Sequence, residues 1–364
     1  MTNIPDPTPS KKAFLGAVYE MSGITSDNSF RSIRPDWLAK VDVEAQTDPE
    51  LLKLTDKFQR CLANKTGVDD VISSSQAYEA FGEIKVYRHL KQYGFDPKCI
   101  PTVSGKKTPD FECKTEDRKT FYVEVKSFDV VHGEFTNRVM LDQGVDASIE
   151  IERQQRNGER IAMSTQVIAP YGEQKHNDSQ VELVTSTFEK KVTNNFKFNQ
   201  FALGPTFAFA VLDKLIVPGR QCAITPYYHQ EYFQGSACVT GTLWASAYAE
   251  PGYLWLDMYE FEGKPTYSGQ WQYEGFFTEA KSHPAQAIMF FDQGLSNPLI
   301  YGLINNYSAE HINWSREDTE GVLHVLCDAV NDRSNAYGYK LANYDSRIDY
   351  PKGAESKSAW DSDP

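Results

Sequence analysis

The chain has 364 residues, 40% of them hydrophobic, and a formal net charge of −13, so it can bury a large core as one domain or as two smaller ones. No run approaches the roughly 18 consecutive apolar residues of a membrane helix, and the polar, proline-containing start does not resemble a signal peptide. We therefore expect a cytoplasmic protein with no membrane partner. Its six cysteines show no C-x-x-C spacing, which argues against a zinc knuckle and against a disulfide scaffold.

Residues 1–70 predict an N-terminal helical segment. Pro35 and Pro49 each introduce a run of helix-forming residues, and proline is common in the first turn of a helix. These short helices would either cover the core or contact a substrate. The sequence alone does not choose between the two roles.

A longer helix is predicted over residues 76–93, with Gly94 just after its last turn, where glycine is common. Along this helix Glu83 shares one stripe with Val86 and Leu90, which should be buried. An acid on an apolar stripe has two interpretations. It points toward a functional site, or it lies at the solvated edge of the stripe.

The next elements are strands and one helix. Predicted strands lie near Cys99–Val103, Asp110–Cys113, Phe121–Lys126 and Phe207–Leu212. A helix is predicted over Val181–Gln200, because apolar residues recur there at intervals of four, at Phe188, Val192 and Phe196. Together with the helix before them, these elements have the order αβββαβ, which indicates an α/β fold.

Two carboxylates and a lysine fall on adjoining predicted strands. Asp110 begins one strand, and Glu124 and Lys126 end the next. Because alternate side chains of a strand point to the same face, Glu124 and Lys126 should project together while Val125 points into the core. One or two carboxylates beside a phosphate are sufficient to hold a hard divalent cation. A lysine there would orient a water and offset developing phosphoryl charge, so the pattern predicts a metal site with an attached lysine.

The pattern Pro109-Asp110 followed by Glu124-Val125-Lys126 resembles the PD-(D/E)xK phosphodiesterase superfamily, which includes many restriction endonucleases and Holliday-junction resolvases. The predicted helix fits as well, since the family's first core helix often carries a Gly-Glu pair, as at Gly82-Glu83. The resemblance covers residues 73–212. It implies a restriction-endonuclease-like αβββαβ core, in which a mixed central sheet is flanked by helices.

The resemblance also implies roles for the site residues. Asp110, Glu124 and Glu83 would bind Mg²⁺ or Mn²⁺, with the Val125 carbonyl oxygen as a further ligand. Lys126 would position the attacking water, so the implied catalytic residues are Glu83, Asp110, Glu124 and Lys126. Acids held close together repel one another, which implies raised carboxylate pKa values without metal and tighter folding with it.

The rest of the chain divides into further segments. The core would span 71–214 with an insertion at 127–180, followed by an α+β extension packed on it at 215–350 and a disordered tail at 351–364. In the insertion, Asn157-Gly158 is a strong hairpin signal, although a helix over 146–156 is also open. The extension could lengthen the sheet. Its predicted elements are strands at Tyr253–Tyr259 and Ala287–Phe291 and a helix at Glu320–Val330.

The net charge of −13 is the main objection to a nucleic-acid partner, because Lys and Arg supply most of the affinity for phosphate backbones. Six basic residues nevertheless cluster around the acid pair: Lys98, Lys106, Lys107, Lys114, Arg118 and Lys119. The loop at 104–108 would either touch DNA or form a solvated turn. Three later lysines would either reach phosphates or line the wet side of a helix: Lys190, Lys191 and Lys197. An acidic nuclease could also need a homodimer or a partner protein that gives specificity.

Motifs for several other chemistries are absent, since there is no G-x-x-x-x-G-K-[ST], no G-x-G-x-x-G, no H-E-x-x-H and no G-x-S-x-G. The expected function is a metal-dependent nuclease that hydrolyses DNA in restriction, phage defence or mobile-element processing. Two alternatives stay open. One is a nuclease that cuts RNA, and the other is a non-catalytic module on the same fold that binds nucleic acid or protein.

Overall fold

The computed structural model of the chain describes residues 8–17, 33–67, 70–101, 107–128, 136–164, 192, 194–212, 241–248, 250–251, 254–261, 264–270, 274–293, 298–308 and 310–332. These residues belong to two compact units. The first unit takes its described residues from 1–84 and 129–176, and the second takes them from 85–128, 177–213 and 218–364.

Seven α-helices occur in the described ranges: α1 (Pro9–Leu15), α2 (Pro35–Ala45), α3 (Pro49–Ala63), α4 (Val71–Gln92), α5 (Thr136–Arg156), α6 (Gly241–Tyr248) and α7 (Arg316–Leu326). The strands in the same ranges are β1 (Lys98–Cys99), β2 (Phe111–Lys114), β3 (Thr120–Ser127), β4 (Thr206–Val211), β5 (Leu254–Phe261), β6 (Lys264–Gln270), β7 (Ala287–Gln293), β8 (Pro298–Ile304) and β9 (Ala329–Asn331). A short 3₁₀ helix at Phe198–Phe201 precedes β4. None of the described helices has the length and apolar character that crossing a bilayer requires.

The N-terminal helices of the first unit begin where the prolines predicted. Pro35 opens α2, and Pro49 opens α3. The Asp48 side chain caps α3 by accepting hydrogen bonds from two main-chain N–H groups in its first turn, both at 3.2 Å. One side of α3 is buried, and its Phe58 ring packs on Phe81 of α4 with 6.3 Å between centroids. Burying a side chain of this size stabilises the fold by about 1.5–3 kcal/mol, so these apolar helix faces hold the unit together.

The hairpin predicted at Asn157-Gly158 is wrong, because helix α5 ends there instead. α5 covers the helix considered over 146–156 and extends it toward the N-terminus. Gly158 has a φ of +84°, a left-handed conformation that serves helix ends as well as hairpin turns. Charged pairs one turn apart, such as Glu150 with Arg153 at 2.7 Å, also favour the helix locally.

The second unit contains a mixed seven-stranded sheet in the order β1-β2-β3-β4-β7-β8-β9. The pairs β1/β2, β2/β3 and β7/β8 are antiparallel, and the pairs β3/β4, β4/β7 and β8/β9 are parallel. The α/β class and the mixed central sheet are therefore confirmed. Strands β7, β8 and β9 come from the predicted C-terminal extension, so the extension does lengthen the sheet. Strands β5 and β6 form a separate two-stranded sheet.

Alternation along β3 buries one face of the seven-stranded sheet. Phe121, Val123 and Val125 are all buried, and they share one side of the strand. The Phe121 ring packs against Phe95 at 5.2 Å and against Phe207 at 5.4 Å between centroids. Strand β4 is buried along its whole length, as expected for a central strand covered on both faces. The even-numbered residues of β3 consequently occupy the opposite face.

Helix α4 ends at the glycine that the sequence indicated. Gly94 has a φ of +85°, and its N–H donates to the Lys91 carbonyl at 3.1 Å. The N–H of Phe95 donates to the Leu90 carbonyl, also at 3.1 Å. This pair of bonds is a Schellman motif, which satisfies carbonyl groups that the last helical turn leaves open. The motif turns the chain toward β1.

Some predicted elements are shifted, and others lie outside the described residues. The helix predicted at Glu320–Val330 begins and ends earlier as α7, because Ser315 caps its start and the chain after it forms β9. Within the predicted helix Val181–Gln200, the described residues are helical only at 192 and 194–195, and the 3₁₀ helix follows. Outside the described residues lie most of the loop at 104–108, with Lys106, and also Lys190, Lys191 and the tail at 351–364.

Candidate active site

Asp110 and Glu124 face each other across strands β2 and β3. The strands are antiparallel with Phe111 opposite Val123, so continuing the register by one residue places Asp110 opposite Glu124. The Asp110 main-chain N–H donates to the Val123 carbonyl at 2.9 Å, and the Asp110 carboxylate accepts from the Val125 N–H at 2.7 Å. The two acids that the sequence placed on adjoining strands are thus neighbours, and the backbone of β3 holds Asp110 in position.

Glu124 is buried on a face where its neighbours are half-exposed. It is 1% exposed, whereas Tyr122 and Lys126 on the same side of β3 are partly open to solvent. Its Oε1 accepts hydrogen bonds from the Lys126 ammonium group and from the Gln200 amide. Its Oε2 is buried as well, and no donor among the described residues reaches it. Because an unsatisfied buried oxygen is costly, Oε2 is the atom of this site that a cation would satisfy.

Burial is the main cause that raises the pKa of Glu124 to about 8. The negative charge of Asp110 acts in the same direction, and so does a hydrogen bond that the protonated Glu124 carboxyl group shares with the Asp110 carboxylate. The charge and the hydrogen bond of Lys126 act in the opposite direction. The raised pKa that the resemblance implied therefore occurs at Glu124, although burial contributes more than repulsion between the acids. At neutral pH the metal-free carboxyl group holds a proton most of the time. A divalent cation would have to displace this proton in order to bind.

Lys126 projects from the same face of β3 as Glu124, as strand alternation predicted. Val125 lies between them in the sequence and is buried in the core. The Lys126 side chain is 30% exposed, so its ammonium group reaches solvent while it contacts Glu124. A lysine in this position can meet a water or a phosphate that approaches from solvent.

Gln200 is a site residue that the sequence did not indicate. It lies in the 3₁₀ helix before β4, and its amide nitrogen donates to Glu124 Oε1. Its amide oxygen accepts from the Lys197 main-chain N–H at 2.9 Å, which fixes the orientation of the amide group. The two residues are 76 positions apart in the chain, so no local pattern pairs them. The parallel pairing of β3 with β4, which sets Glu124 opposite Ala208, brings the end of the 3₁₀ helix to the site.

Glu83 lies on α4 in the first unit and is 8% exposed. Both of its carboxylate oxygens contact the Lys57 ammonium group, at 2.6 and 2.7 Å. The burial expected from the apolar stripe is therefore confirmed, and α3 supplies a cationic partner that the α4 sequence does not contain. The role of Glu83 as a metal ligand stays a prediction.

The carboxylates of Asp110, just before β2, and of Glu124, on β3, fit a hard divalent cation. Asp110 and Glu124 supply carboxylate oxygens, and Glu124 Oε2 is buried without a hydrogen-bond donor. Across the described part of the chain, no group of three or more His, Cys, Asp or Glu side chains is arranged to hold a metal ion. A site with two protein carboxylates suits Mg²⁺ or Mn²⁺, since Mg²⁺ usually keeps several waters and is bound through one or two carboxylates.

The basic cluster predicted around the acids is partly neutralised. Lys98 pairs with Asp96 at 3.0 Å, and Lys119 pairs with Asp318 at 2.7 Å. The hydrogen bond from the Lys119 ammonium group to the Asp318 carboxylate is the main cause that raises the pKa of Lys119. Positive charge near the acid pair therefore comes from fewer lysines than the sequence suggests, and Lys107 is one of them.

Comparisons of the chain with protein-family models, with curated proteins and with solved structures gave no match. The resemblance to the PD-(D/E)xK superfamily thus depends on its own residues, and the family is not shown by any relative. The site is defined by the geometry of Asp110, Glu124 and Lys126 at one face of the sheet and of Gln200 in the 3₁₀ helix that precedes β4.

Proposed function

We propose that the chain is a metal-dependent nuclease that hydrolyses phosphodiester bonds of DNA. The observation that carries this proposal is the buried Glu124 Oε2, which lacks a donor among the described residues and lies beside a second carboxylate and a lysine. A structural carboxylate normally has its buried oxygens satisfied. A buried acid with one oxygen lacking a donor, beside a second carboxylate and a lysine, is instead the arrangement expected of a cation site that acts on phosphate.

Each residue has a distinct role in this proposal. Asp110 and Glu124 hold Mg²⁺ or Mn²⁺, and Glu83 is a further ligand that the family resemblance implies. When bound, the cation lowers the pKa of a water and stabilises charge on the phosphoryl oxygen. Lys126 orients the attacking water and offsets negative charge at the phosphate. Gln200 is a positioning residue, because it occupies Glu124 Oε1 and keeps Oε2 available.

The choice of DNA over RNA, and of restriction, phage defence or mobile-element processing as the setting, comes from the family resemblance. The carboxylate pair acts on the phosphodiester group, which both nucleic acids share. Parallel substrates therefore have to be part of the test.

The test incubates purified protein with plasmid, linear duplex DNA, single-stranded DNA and RNA, each with Mg²⁺, Mn²⁺ or EDTA. Asp110→Asn, Glu124→Gln and Lys126→Ala remove the proposed machinery one group at a time. Glu112→Gln is the matched control, since Glu112 lies on β2 two residues from Asp110 and on the same side of the strand.

The expected result is cleavage that requires metal, is lost in the three site variants and persists in Glu112→Gln. Cleavage in EDTA, or full cleavage by Glu124→Gln, would contradict the proposal. Nucleic-acid binding that is equal in EDTA and in Asp110→Asn, without any cleavage, would instead indicate a non-catalytic binding module.

A further inference from the structure

Exposed apolar side chains lie beside the acid pair, on the 3₁₀ helix and on the turn that follows it. Phe198 begins this helix and is 54% exposed, and Leu203 in the turn is 52% exposed. Gln200 lies between them in the sequence, is buried, and donates to Glu124. Because a 3₁₀ helix rises about 2 Å per residue, Phe198 starts about 4 Å along the axis from the residue that holds Glu124. An exposed apolar surface therefore adjoins the acid pair.

The Phe198 ring is held in place although it is exposed. It packs almost at right angles to the His283 ring, with 4.8 Å between the centroids. His283 is 2% exposed, its Nε2 donates to the Phe196 carbonyl at 3.2 Å, and its Nδ1 accepts from the Ala285 N–H at 3.1 Å. These bonds fix the imidazole on which Phe198 packs. An aromatic ring that is already ordered loses little further entropy when a ligand stacks on it.

Tyr122 is a second aromatic residue at the site, and it is half-exposed. It shares one side of β3 with Glu124, about 7 Å away along the strand. The main chain at Gly204 lies against the Tyr122 ring, since a Cβ there would be 3.0 Å from Cε2 of the ring. The Tyr122 N–H also donates to the Pro205 carbonyl at 2.8 Å. The turn after the 3₁₀ helix is thus attached to Tyr122, and this contact fixes the ring beside the acid.

The occupant that fits this surface is a nucleobase. The net charge of −13 leaves little general attraction for phosphates, and Lys98 and Lys119 near the acids are already paired with aspartates. Stacking on an aromatic ring needs no charge, and every base offers a π face. A nucleotide carries its base and its phosphate on one sugar, so a strand whose phosphate meets the acid pair brings a base to the adjoining surface. Inside a duplex that face is covered by the neighbouring base pair.

We propose that Phe198 and Tyr122 stack on unpaired bases next to the phosphodiester that the acid pair hydrolyses. The substrate of the site is then single-stranded DNA. This inference rests on the proposed function and names the substrate class. Stacking tolerates any base, so the surface would place the strand without reading its sequence.

The test measures binding in EDTA, where no cleavage takes place, by fluorescence anisotropy of short labelled single strands and of duplexes of the same length. Phe198→Leu and Tyr122→Leu each remove an aromatic face and keep an apolar side chain, whereas Phe198→Tyr keeps the face. Tyr93→Leu is the matched control, because Tyr93 is 45% exposed and its ring also packs on a histidine, His89, at 4.8 Å. Melting curves show whether each variant is folded.

The wild type should bind single strands about tenfold more tightly than duplex. Phe198→Leu should weaken single-strand binding by about tenfold, Tyr122→Leu should act in the same direction, and Phe198→Tyr and Tyr93→Leu should bind like the wild type. Loss of a stacking contact should leave the slope of log K against log salt unchanged, because no phosphate contact is removed.

Duplex bound as tightly as single strands would overturn the inference, as would equal weakening by Phe198→Leu and Tyr93→Leu or a wild type that binds none of the probes. Tighter binding of single-stranded RNA would overturn the assignment to DNA. If the wild type cleaves DNA with Mg²⁺ and Phe198→Leu binds and cleaves single strands equally well, the stacking surface fails while the nuclease stands. If binding falls in Phe198→Leu but the wild type never cleaves, the stacking surface stands and the nuclease fails.

Discussion

Glu83 and Glu124 are two buried acids that differ in how their oxygens are satisfied. Both oxygens of Glu83 contact one lysine, Lys57, across two helices of the first unit. In the second unit, the two donors to Glu124 both bind Oε1, and Oε2 has no donor among the described residues. Burial alone does not identify a functional carboxylate. The informative difference is an oxygen that the fold encloses and leaves without a hydrogen bond.

Glu83 and Glu124 should therefore differ in whether they contribute to stability or to function. A carboxylate whose two oxygens are paired should contribute to folding, and its loss should cost stability. A carboxylate kept partly unsatisfied should cost stability in the metal-free protein and contribute when a cation binds. Substitution of Glu83 should therefore mainly lower stability, and substitution of Glu124 should mainly lower cation binding and activity.

The substitution Glu124→Gln should have the largest effect, and this effect is on catalysis. This change should lower kcat by about a thousandfold or more, because the cation loses a charged ligand. Thermal unfolding in EDTA at neutral pH should be nearly unchanged, since the Gln amide can still accept at Oε1 and, like the mostly protonated Glu124 carboxyl group, carries no charge. Cleavage rates and melting curves measured on the same preparation check this. Loss of activity together with a large drop in melting temperature would mean that Glu124 is structural.

The next effect is the pH dependence of metal binding. The pKa of Glu124 in the metal-free fold is about 8, so a proton competes with the cation below that pH. Mg²⁺ affinity should rise by up to about tenfold per pH unit as the pH approaches about 8. Calorimetry in two buffers with different ionisation enthalpies should detect the proton that is released, and Glu124→Gln should abolish the release.

The same raised pKa also determines whether stability in EDTA rises or falls with pH. A folded-state pKa above the ordinary value means that the contribution of Glu124 to stability is complete at acidic pH and is lost as the pH rises through about 8. Denaturant unfolding at a series of pH values should show this decline in the wild type. The decline should be weaker in Glu124→Gln, and an identical pH profile in both proteins would contradict the buried-carboxyl account.

A smaller effect is expected at Gln200. Replacing it with alanine should weaken metal affinity or activity by about 10- to 100-fold, because the orientation of Glu124 is no longer fixed. A positioning role predicts a raised apparent constant for Mg²⁺, with activity partly recovered at high Mg²⁺. Asn199→Ala is the control, since Asn199 is the exposed neighbour in the same turn. Equal effects of the two changes would indicate disturbance of the turn.

The smallest effect concerns the Glu83–Lys57 pair. Either Glu83→Gln or Lys57→Gln should lower the free energy of unfolding by about 1 kcal/mol or less, because the lysine side chain is 45% exposed. If Glu83 is also a metal ligand, only Glu83→Gln should reduce cleavage. Urea unfolding and cleavage assays of both variants distinguish the two roles, and equal activities would remove Glu83 from the site.

The sequence predicted those parts of the site that depend on local geometry. Strand alternation was sufficient to place Glu124 and Lys126 on one face, and two short neighbouring strands brought Asp110 beside them. Gln200 was not predictable, because its contact with Glu124 depends on the pairing of β3 with a strand that begins 82 residues after Glu124. Lys57 was missed for a similar reason, since it comes from a different helix than Glu83.

The fold shows the same division between local and long-range information. Gly94 and the prolines marked helix ends correctly, because those signals act within one turn. At Asn157-Gly158 the sequence left both a hairpin and a helix open, since a left-handed glycine fits either one and only the surrounding residues decide. The order β4-β7-β8-β9 could not be read from apolar runs, which identify strands but not their neighbours.

The most direct test of the central claim is Mn²⁺ binding followed by electron paramagnetic resonance of the free ion. Wild-type protein, Asp110→Asn, Glu124→Gln and the control Glu112→Gln are titrated under identical conditions. If Asp110 and Glu124 hold the cation, a saturable site is present in the wild type and in Glu112→Gln and is lost in the other two variants. Saturable binding that persists in both Asp110→Asn and Glu124→Gln, or its absence from the wild type, would contradict this assignment.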